Sequence, residues 1–345
     1  MIDVDKLVTK QIFIGNKETY DAKVSAHIAL CADKNVIRAM GVTIVSVLKN
    51  TTLPTHIHIF FNGMLPEEEA NRFKIIAETY ATCISIYWLD NTFIEKLHCT
   101  AAISVTAYYR LLVPDILWKE HIVQCLYLDT DILVSKNIDE LLNYNLMQYA
   151  AYVIRDATSI PEWWKKYCKS IGMSGFTYFN SGVILMNNEI MVAENIWIQA
   201  IKLAATKAFK YMDQDVLNIV LEGKVKFDET PMYNCTMSVQ NWEYNKIGGD
   251  NIKIIHFTGD KKPWKLFTSH WETEQNPQDK THSWKFTYYK LWRQYAAESP
   301  WSDVPFDVPK NAHEWRWTSD MYRRNGEYGK AISAYWQYLR YKFFE

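Results

Sequence analysis

The fold is decided by the stretch Ile122-Val-Gln-Cys-Leu-Tyr-Leu-Asp-Thr-Asp-Ile-Leu-Val134, an apolar, strand-like run that two aspartates interrupt. Asp129 and Asp131 are two residues apart, so in an extended backbone both carboxylates point to the same side. Two anions held close together repel each other unless a cation lies between them. Carboxylate oxygens suit Mg²⁺ or Mn²⁺ better than zinc. A solvated strand end is the alternative interpretation, but burying two carboxylates in an apolar run without a cation would be costly.

The segments around this run alternate between strand and helix patterns. Predicted strands are His27–Ala32, His56–Phe61, Ile84–Leu89, Ala150–Ile154, Phe179–Met186 (with a turn at its start) and Ile252–Phe257. Predicted helices are Val36–Asn50, a segment from about Pro66, Met191–Ala208, Asp213–Leu221, His313–Arg323 and Tyr328–Phe343. This rhythm predicts an α/β fold with a mostly parallel sheet and helices on its faces. Ligands are then expected at the carboxyl ends of the strands.

A third metal ligand is predicted at His256, which ends a late strand. A lone histidine is more often a packed or surface residue, but an imidazole is an acceptable ligand for Mn²⁺. The following Gly259 permits close backbone approach, and Lys262 offers a positive charge to phosphate. His256, Gly259 and Lys262 are therefore predicted to close over a diphosphate.

Composition narrows the class of protein. The chain has 38 Lys plus Arg against 39 Asp plus Glu, so no net charge draws it toward nucleic acid. Three cysteines, Cys31, Cys83 and Cys125, lie in apolar runs and are interpreted as core residues of a protein in a reducing compartment. The first 23 residues lack a secretory apolar region, and no stretch has the ~18 continuous apolar residues of a membrane span. A soluble intracellular protein is expected.

Several motifs in one order resemble the retaining glycosyltransferases of family eight, and most closely their bacterial lipopolysaccharide core α-glucosyl- and galactosyltransferases. The motifs are Ala32–Asn35, Tyr109-Arg110, Leu126–Asp131, Phe179–Val183, Tyr211–Asp215, His256–Trp264 and Ser299-Pro-Trp301 with Pro305. The resemblance spans roughly residues 25–310. It implies a nucleotide-sugar-binding domain of the GT-A type, Rossmann-like with a mixed central sheet.

The resemblance also implies roles for individual residues. Uracil and ribose would be contacted by Cys31, Ala32, Asp33 and Asn35, with Val36 standing where some members stack a tyrosine on the base. The metal ligands would be Asp129, Asp131 and His256, with Thr130 beside them. Arg110 would reach the donor diphosphate or sugar, and Gly259 and Lys262 would bind phosphate. The transferred sugar would be surrounded by Asp156, Asn180, Asp213 and Gln214.

The resulting hypothesis is a UDP-hexose-dependent transferase that uses Mn²⁺ or Mg²⁺ and moves glucose or galactose onto a lipopolysaccharide core. Asp213, Asp156 and Gln214 are the candidate catalytic residues. A neutral amide oxygen is a weak nucleophile, which favours same-face attack over double displacement. Two alternatives remain open from the residues alone. A sugar-nucleotide nucleotidyltransferase usually has a Gly-rich phosphate loop, which Asp33-Lys-Asn35 does not provide. A non-catalytic saccharide-binding protein would explain the high content of aromatic residues in the chain, which can stack on sugars, but not the paired carboxylates.

Three regions are predicted: an extension (1–24), the catalytic domain (25–285) and a helical region (286–345). From residue 310 onward the chain has seven Lys or Arg, four Asp or Glu and ten aromatic residues. Such helices could pack on the catalytic domain or lie on an anionic membrane surface. The expected location is the cytoplasmic face of the inner membrane, with the protein bound peripherally.

Overall fold

The computed structural model describes residues 6–15, 26–92, 94, 97, 105–159, 162–239, 241–272 and 284–344. The chain forms two compact units, Met1–His256 and Phe257–Glu345. This division differs from the limits at 24/25 and 285/286 that composition suggested, and the three predicted regions stay a prediction. None of the described helices is long and apolar enough to span a membrane.

All the named strands lie in the first unit. They are β1 (Val8–Ile14), β2 (Ala26–Asp33), β3 (Thr55–Asn62), β4 (Cys83–Leu89), β5 (Gln124–Leu128), β6 (Ile132–Val134), β7 (Ala151–Arg155), β8 (Phe179–Asn187), β9 (Val225–Asp228), β10 (Cys235–Thr236) and β11 (Ile254–His256). The helices of this unit are α1 (Ile37–Lys49), α2 (Glu67–Thr79), α3 (Val113–Lys119), α4 (Asp139–Leu142), α5 (Glu162–Ile171), α6 (Asn188–Ala193), α7 (Ile196–Ala204), α8 (Met212–Val220) and α9 (Asn241–Ile247).

The central sheet has eight strands in the order β1-β4-β3-β2-β5-β8-β7-β9. The pairs β4/β3, β3/β2, β2/β5 and β7/β9 are parallel, whereas β1/β4, β5/β8 and β8/β7 are antiparallel. The expected mixed α/β sheet is therefore confirmed. Because β8 runs opposite to β5 and β7, the carboxyl ends of β2, β5, β7 and β9 meet the amino end of β8 at one edge of the sheet.

A small second sheet, β10-β11-β6, explains how distant parts of the sequence meet. Antiparallel pairing of β11 with β6 places His256 opposite Ile132. Asp131 is the residue before Ile132, so backbone pairing alone brings the imidazole beside the aspartate pair. The side chains of β6 and β11 are fully buried, which fixes this register.

Residues 8–14, predicted to lie in an extension, form β1, an edge strand of the central sheet. β1 pairs with β4 from Val8↔Leu89 to Ile14↔Ile84. Most of its residues are partly or fully exposed, as expected for an edge strand with one covered face. Its apolar residues are interrupted by Thr9, Lys10 and Gln11, so only the short run at its end stands out in the sequence, which is why the segment was assigned to an extension.

Two further sequence predictions are corrected. The single helix predicted for Met191–Ala208 is two helices, α6 and α7, because Asn195 between them adopts a left-handed conformation with φ of 52°. Asn180–Gly182 is not a turn but the start of β8. Opposite β7 the register shifts, so that Ile154 pairs with Asn180 whereas Val153 pairs with Ile184. The intervening residues of β8 bulge away from β7, and their backbone is available to the site.

The second unit contains α10 (Trp284–Ala297), α11 (Ala312–Arg324) and α12 (Tyr328–Phe343). The last two match the predicted helices, and they pack against each other. Ala331 and Ala334 are the buried residues of α12. Its large apolar side chains lie instead on an exposed stripe at helical spacing, formed by Tyr328, Ile332, Tyr335, Trp336 and Phe343.

Candidate active site

Asp129, Asp131 and His256 form one compact group at the carboxyl end of β5. Asp129 and Asp131 flank Thr130 in the turn between β5 and β6. His256 Nε2 lies 3.2 Å from Asp131 Oδ1 and 3.7 Å from Asp129 Oδ2. One ligand atom of each residue lies within 4.8 Å of the other two. The three residues predicted as metal ligands are thus brought together.

Hydrogen bonds determine which nitrogen of His256 faces the carboxylates. The backbone N–H of Gly182 donates to Asn180 Oδ1 at 3.1 Å, which identifies that atom as the amide oxygen. His256 Nδ1 lies 3.1 Å from this oxygen and 3.1 Å from Asn234 Oδ1, so Nδ1 carries the hydrogen and donates it. In the neutral tautomer that these bonds select, the lone pair lies on Nε2, the nitrogen that faces Asp131. A metal-binding histidine needs this arrangement.

Asp129 uses its two carboxylate oxygens differently. Oδ1 accepts hydrogen bonds from the Tyr127 hydroxyl at 2.8 Å and lies 2.9 Å from Arg110 Nη2. Oδ2 is the oxygen nearer to His256. The Tyr127 and Arg110 contacts therefore orient the carboxylate so that one oxygen remains available to a cation.

Arg110 is buried, and its guanidinium contacts several residues of the site. Nη1 donates to both the carbonyl and the hydroxyl of Ser181, and Nε donates to Ala107 O. Nε also lies 3.0 Å from Asp213 Oδ2. Burial raises the pKa of Asp213 to about 6, and the positive charge of Arg110 opposes that rise. The carboxylates of Asp129 and Asp213 raise the pKa of Arg110 although burial lowers it, so the guanidinium stays charged.

Gln214 has an orientation fixed by the backbone. The N–H of Ser181 donates to Gln214 Oε1 at 3.1 Å, and Asn180 Nδ2 donates to the same oxygen at 3.1 Å. Gln214 Nε2 then donates to Asp156 Oδ2 at 3.2 Å and to the Tyr178 hydroxyl at 3.3 Å. Asp156, Asn180, Asp213 and Gln214, all predicted around the sugar, are linked to the metal group through these bonds and Arg110.

Glycine is required at position 182 because His256 and Asp129 pack closely against its backbone. A Cβ at this position would lie 2.3 Å from His256 Cε1, 2.7 Å from His256 Nδ1 and 2.8 Å from Asp129 Oδ2. These distances are shorter than van der Waals contact, so a larger residue would displace two of the three candidate ligands.

The predicted nucleotide residues lie at the carboxyl end of β2 and the start of α1. Cys31 and Ala32 are buried. Burial raises the pKa of the Cys31 thiol, so it stays protonated. Asp33 Oδ1 accepts the N–H of Asn35 at 2.9 Å, and Val36 precedes the first turn of α1. Asp33 and Asn35 thus form an ordered, solvent-accessible turn.

Gly259 and Lys262 belong to the second unit. Gly259 has φ of +80°, a conformation that favours glycine. Lys262 Nζ donates to Phe257 O and lies 5.9 Å from the centre of the Trp264 ring.

Sequence reasoning missed four residues that organise the site: Tyr127, Ser181, Asn234 and Tyr178. Tyr127 could have been identified from the sequence, because it lies two residues before Asp129 and hence on the same side of the strand. Asn234 precedes the two-residue strand β10, which is too short to show a pattern. Ser181 acts largely through its backbone, which side-chain motifs do not reveal.

The residues present fit a divalent cation. Ligands of an octahedral ion at ~2.1 Å lie about 3 Å apart, close to the separation of His256 Nε2 and Asp131 Oδ1. The two carboxylates suit Mn²⁺ or Mg²⁺, and the imidazole is an acceptable ligand for Mn²⁺. Of the described residues, one further histidine group, His27, His56 and His58, has the spacing of metal ligands.

A mixed α/β sheet with a D-x-D pair at the carboxyl end of a central strand, met by a histidine from a later strand, is the arrangement that the resemblance to GT-A glycosyltransferases implies. The family model Glycosyl transferase family 8 matches residues 27–267, and Glycosyl transferase family 8 C-terminal matches residues 288–342. The chain therefore belongs to glycosyltransferase family 8 and is a transferase.

The relatives agree with this placement. The chain is 29% identical over 332 residues to the lipopolysaccharide 1,3-galactosyltransferase of Salmonella typhimurium, covering 92% of each chain. It is 28% identical over 347 residues to the lipopolysaccharide glucosyltransferase WaaO of Escherichia coli, covering 95% of each.

Among solved structures, the bifunctional glycosyltransferase WbbM has a TM-score of 0.64 at 20% identity, over 90% of this chain and 53% of WbbM. The galactosyltransferase LgtC, solved with donor and acceptor sugar analogues, has a TM-score of 0.58 at 23% identity, over 84% of this chain and 99% of LgtC. Both likenesses concern the fold.

Proposed function

We propose that this protein transfers glucose or galactose from a UDP-sugar to a saccharide of a lipopolysaccharide core, with retention of configuration and an α linkage. The observation that carries the proposal is the group Asp129, Asp131 and His256, with His256 Nε2 3.2 Å from Asp131 and Nδ1 held by Asn180. The named activities of the two relatives, matched over nearly their full lengths, support the donor and acceptor classes.

Asp129, Asp131 and His256 would hold Mn²⁺ or Mg²⁺. When bound, such an ion stabilises the negative charge that develops on the departing diphosphate. Tyr127 and Arg110 orient Asp129, so Arg110 is assigned a positioning role through its buried contacts. The positive charge of Arg110 also offsets part of the local charge of Asp129 and Asp213.

On the nucleotide side, the turn Asp33–Asn35 and the backbone of Cys31 and Ala32 are assigned to uracil and ribose. Asp33 supplies a carboxylate that hydroxyl groups can reach, since it is only partly buried. Gly259 and Lys262 are assigned to the phosphates, Lys262 by its charge and Gly259 by its backbone.

The transferred sugar is assigned to Asp156, Asn180, Asp213 and Gln214. Gln214 Oε1 already accepts two hydrogen bonds, from Ser181 N–H and Asn180 Nδ2, which weakens an already poor nucleophile further. Same-face attack is therefore favoured, with a departing phosphate oxygen taking the acceptor proton. Asp156 is the carboxylate placed beside Gln214, and it would stabilise the positive charge that develops on the sugar ring.

Binding to the surface of an anionic membrane is also proposed, through α12. Tyr328, Ile332, Trp336 and Phe343 are each more than 60% exposed, and the helical spacing places Arg340 and Lys342 on either side of this stripe. An apolar stripe with flanking cations is the pattern of a helix that lies in a lipid interface. The proposed acceptor is lipid-anchored, so binding to the membrane surface would bring the protein close to it.

The test is an assay of UDP release and sugar transfer with UDP-glucose or UDP-galactose and truncated lipopolysaccharide, in Mn²⁺ or in EDTA. We expect transfer in Mn²⁺ and none in EDTA. Asp131→Ala should lower kcat at least ~1000-fold, because a lost ligand removes the charge stabilisation of the leaving group. Asp250→Ala is the matched control, since Asp250 is fully exposed and should leave the rate unchanged.

Near-normal turnover of Asp131→Ala in Mn²⁺ would refute the site assignment. Formation of UTP from the UDP-sugar and pyrophosphate would indicate a nucleotidyltransferase instead. Saccharide binding without turnover in either donor would indicate a binding protein.

A further inference from the structure

A second feature of the catalytic edge of the sheet is a cleft of about 600 Å³, which lies beyond the residues already assigned. It is lined by the last residue of β7, by residues in and after β9, by residues that precede β8, and by residues of α5 and α9. The lining includes Arg155, Lys165, Phe176, Thr177, Glu229 and Glu243. This volume is within the range of ~300–1,000 Å³ that is usual for small-molecule sites.

Two residues that line the cleft are next in sequence to residues that contact Gln214. Arg155 lines the cleft, and the next residue, Asp156, accepts a hydrogen bond from Gln214. Thr177 lines the cleft, and the next residue, Tyr178, bonds to the same Gln214. Neighbouring Cα atoms are ~3.8 Å apart, so the cleft begins one residue from the proposed site of the transferred sugar.

The strand order separates the cleft from the proposed nucleotide site. The candidate metal ligands follow β5, whereas the cleft lies at β7 and β9, two to three strand positions farther along the order β5-β8-β7-β9. At ~4.8 Å per strand this is about 10–14 Å, the length of two to three sugar rings. A molecule in the cleft would therefore approach the transferred sugar from the side opposite the nucleotide.

The chemistry of the lining is that of a saccharide site. Phe176 is 42% exposed and offers an aromatic face. Arg155 forms ion pairs with Glu243 and Glu229, so planar groups with several donors and acceptors line the wall. Glu243 Oε2 is buried without a hydrogen-bond partner among the described residues, and a buried acceptor without a partner is destabilising. A hydroxyl group of a bound sugar could donate to this oxygen and remove the penalty. Flat apolar surface beside paired carboxylate and guanidinium groups suits a ring with many hydroxyl groups.

We propose that this cleft binds the acceptor, as the subsite for the sugar residues next to the one that receives the hexose. The inference rests on the proposed transferase function and adds the place and the residues of acceptor recognition. Phe176 is the aromatic platform, and Arg155 with Glu243 and Glu229 recognises the hydroxyl groups.

The experiment compares Phe176→Ala with Trp163→Ala in the full-length protein. Trp163 is also aromatic and 50% exposed, but it does not line the cleft. The probe is a delipidated, truncated lipopolysaccharide core oligosaccharide, used with Mn²⁺ and the UDP-hexose that the wild type accepts. We expect Phe176→Ala to raise the KM for the oligosaccharide roughly tenfold, with the KM for UDP-hexose within about twofold of wild type. Trp163→Ala should change neither value.

A second measurement does not depend on turnover. Saturation-transfer NMR should detect binding of the oligosaccharide to the wild type and to Trp163→Ala, and a much weaker signal with Phe176→Ala. Equal binding by all three proteins would overturn the acceptor cleft. If the wild type binds the oligosaccharide through Phe176 but transfers no sugar, the transferase proposal fails while the saccharide cleft stands.

Discussion

At the scale of single residues, Gly182 shows how tightly the candidate metal ligands are packed. Its backbone carbonyl accepts the N–H of Asp129 at 2.9 Å, and its missing side chain leaves room for His256 and for the free oxygen of Asp129. The φ angle of Gly182 is not positive, so glycine is required here for space and not for its backbone conformation.

Gly182→Ala is therefore expected to weaken Mn²⁺ binding at least ~10-fold, because the new Cβ would push against His256 and Asp129, and displaced support around ligands typically costs 10–100-fold. Manganese affinity can be measured by electron paramagnetic resonance of the free ion.

The matched control is Gly329→Ala, since a Cβ at Gly329 would meet nothing within 4 Å. Equal manganese affinity for Gly182→Ala and Gly329→Ala would contradict the packing argument.

The residues of the site were predictable to different degrees. Asp129 and Asp131 stand out because charge interrupts an apolar strand, and His256 because it ends another. Asn234 does not stand out from its neighbours in this way, because the adjacent strand has only two residues and shows no periodic pattern. Its role depends on a hydrogen bond across 22 positions of the chain, which only the folded structure brings about.

At the scale of elements, strands β2 and β3 carry a buried group of three histidines. His27 Nδ1 lies 3.0 Å from His58 Nε2, and His58 Nδ1 lies 3.0 Å from the Tyr87 hydroxyl. Tyr87 donates to Glu120 Oε2 at 2.9 Å, so the hydroxyl accepts from His58 Nδ1–H. Burial lowers the pKa of His56 to about 3, and it also lowers the pKa of His58.

These pKa shifts predict that acid destabilises the fold. Unfolded histidines titrate near 6.5, so between about pH 6.5 and pH 3 the unfolded chain binds more protons than the folded one. The free energy of unfolding should then fall as the pH falls below 6.5, and this contribution should be constant above it. Urea unfolding at pH 5.0 to 7.5 measures the slope.

His56→Gln should reduce this slope, because it removes one of the titrating groups and keeps a polar group near Ser85 Oγ. His313→Gln, at an exposed position, should leave the slope as in the wild type. A wild-type slope in His56→Gln would show that the histidine is not the source.

Helices and strands with strong periodicity were predicted well, and the failures have physical causes. The core strands β2 to β5 were found because apolar runs bounded by polar residues have few alternatives. β1 was missed because half of an edge strand faces solvent. The break between α6 and α7 was missed because Asn195 sits in a pattern whose apolar spacing continues on both sides.

At the scale of the whole molecule, net charge and local charge differ. The chain has a net charge of −1, but the region from residue 310 onward has seven Lys or Arg against four Asp or Glu. The exposed stripe of α12 lies in that region. Whether this stripe is exposed, as the proposed membrane contact requires, could not be decided from sequence, because a buried and an exposed apolar stripe have the same spacing.

The membrane proposal predicts that Trp336→Ser combined with Phe344→Ser lowers binding to vesicles containing anionic lipid. The two side chains are 67% and 85% exposed, so their loss should not disturb the core. Burying each in lipid contributes ~1.5–3 kcal/mol, so the double variant should bind at least ~10-fold more weakly. Co-sedimentation with phosphatidylglycerol-containing vesicles measures this.

Met64→Ser is the control, since Met64 is 84% exposed and lies in the other unit. Unchanged sedimentation of the double variant would remove α12 from the membrane contact.

The side chain of Asn180 has a consequence for engineering. Its oxygen faces His256 and its nitrogen faces Gln214, so one planar amide joins a candidate metal ligand to a residue proposed to face the sugar. Replacing Gln214 to alter hexose preference is therefore expected to change metal preference as well, and selections carried out in different metals should yield different donor specificities.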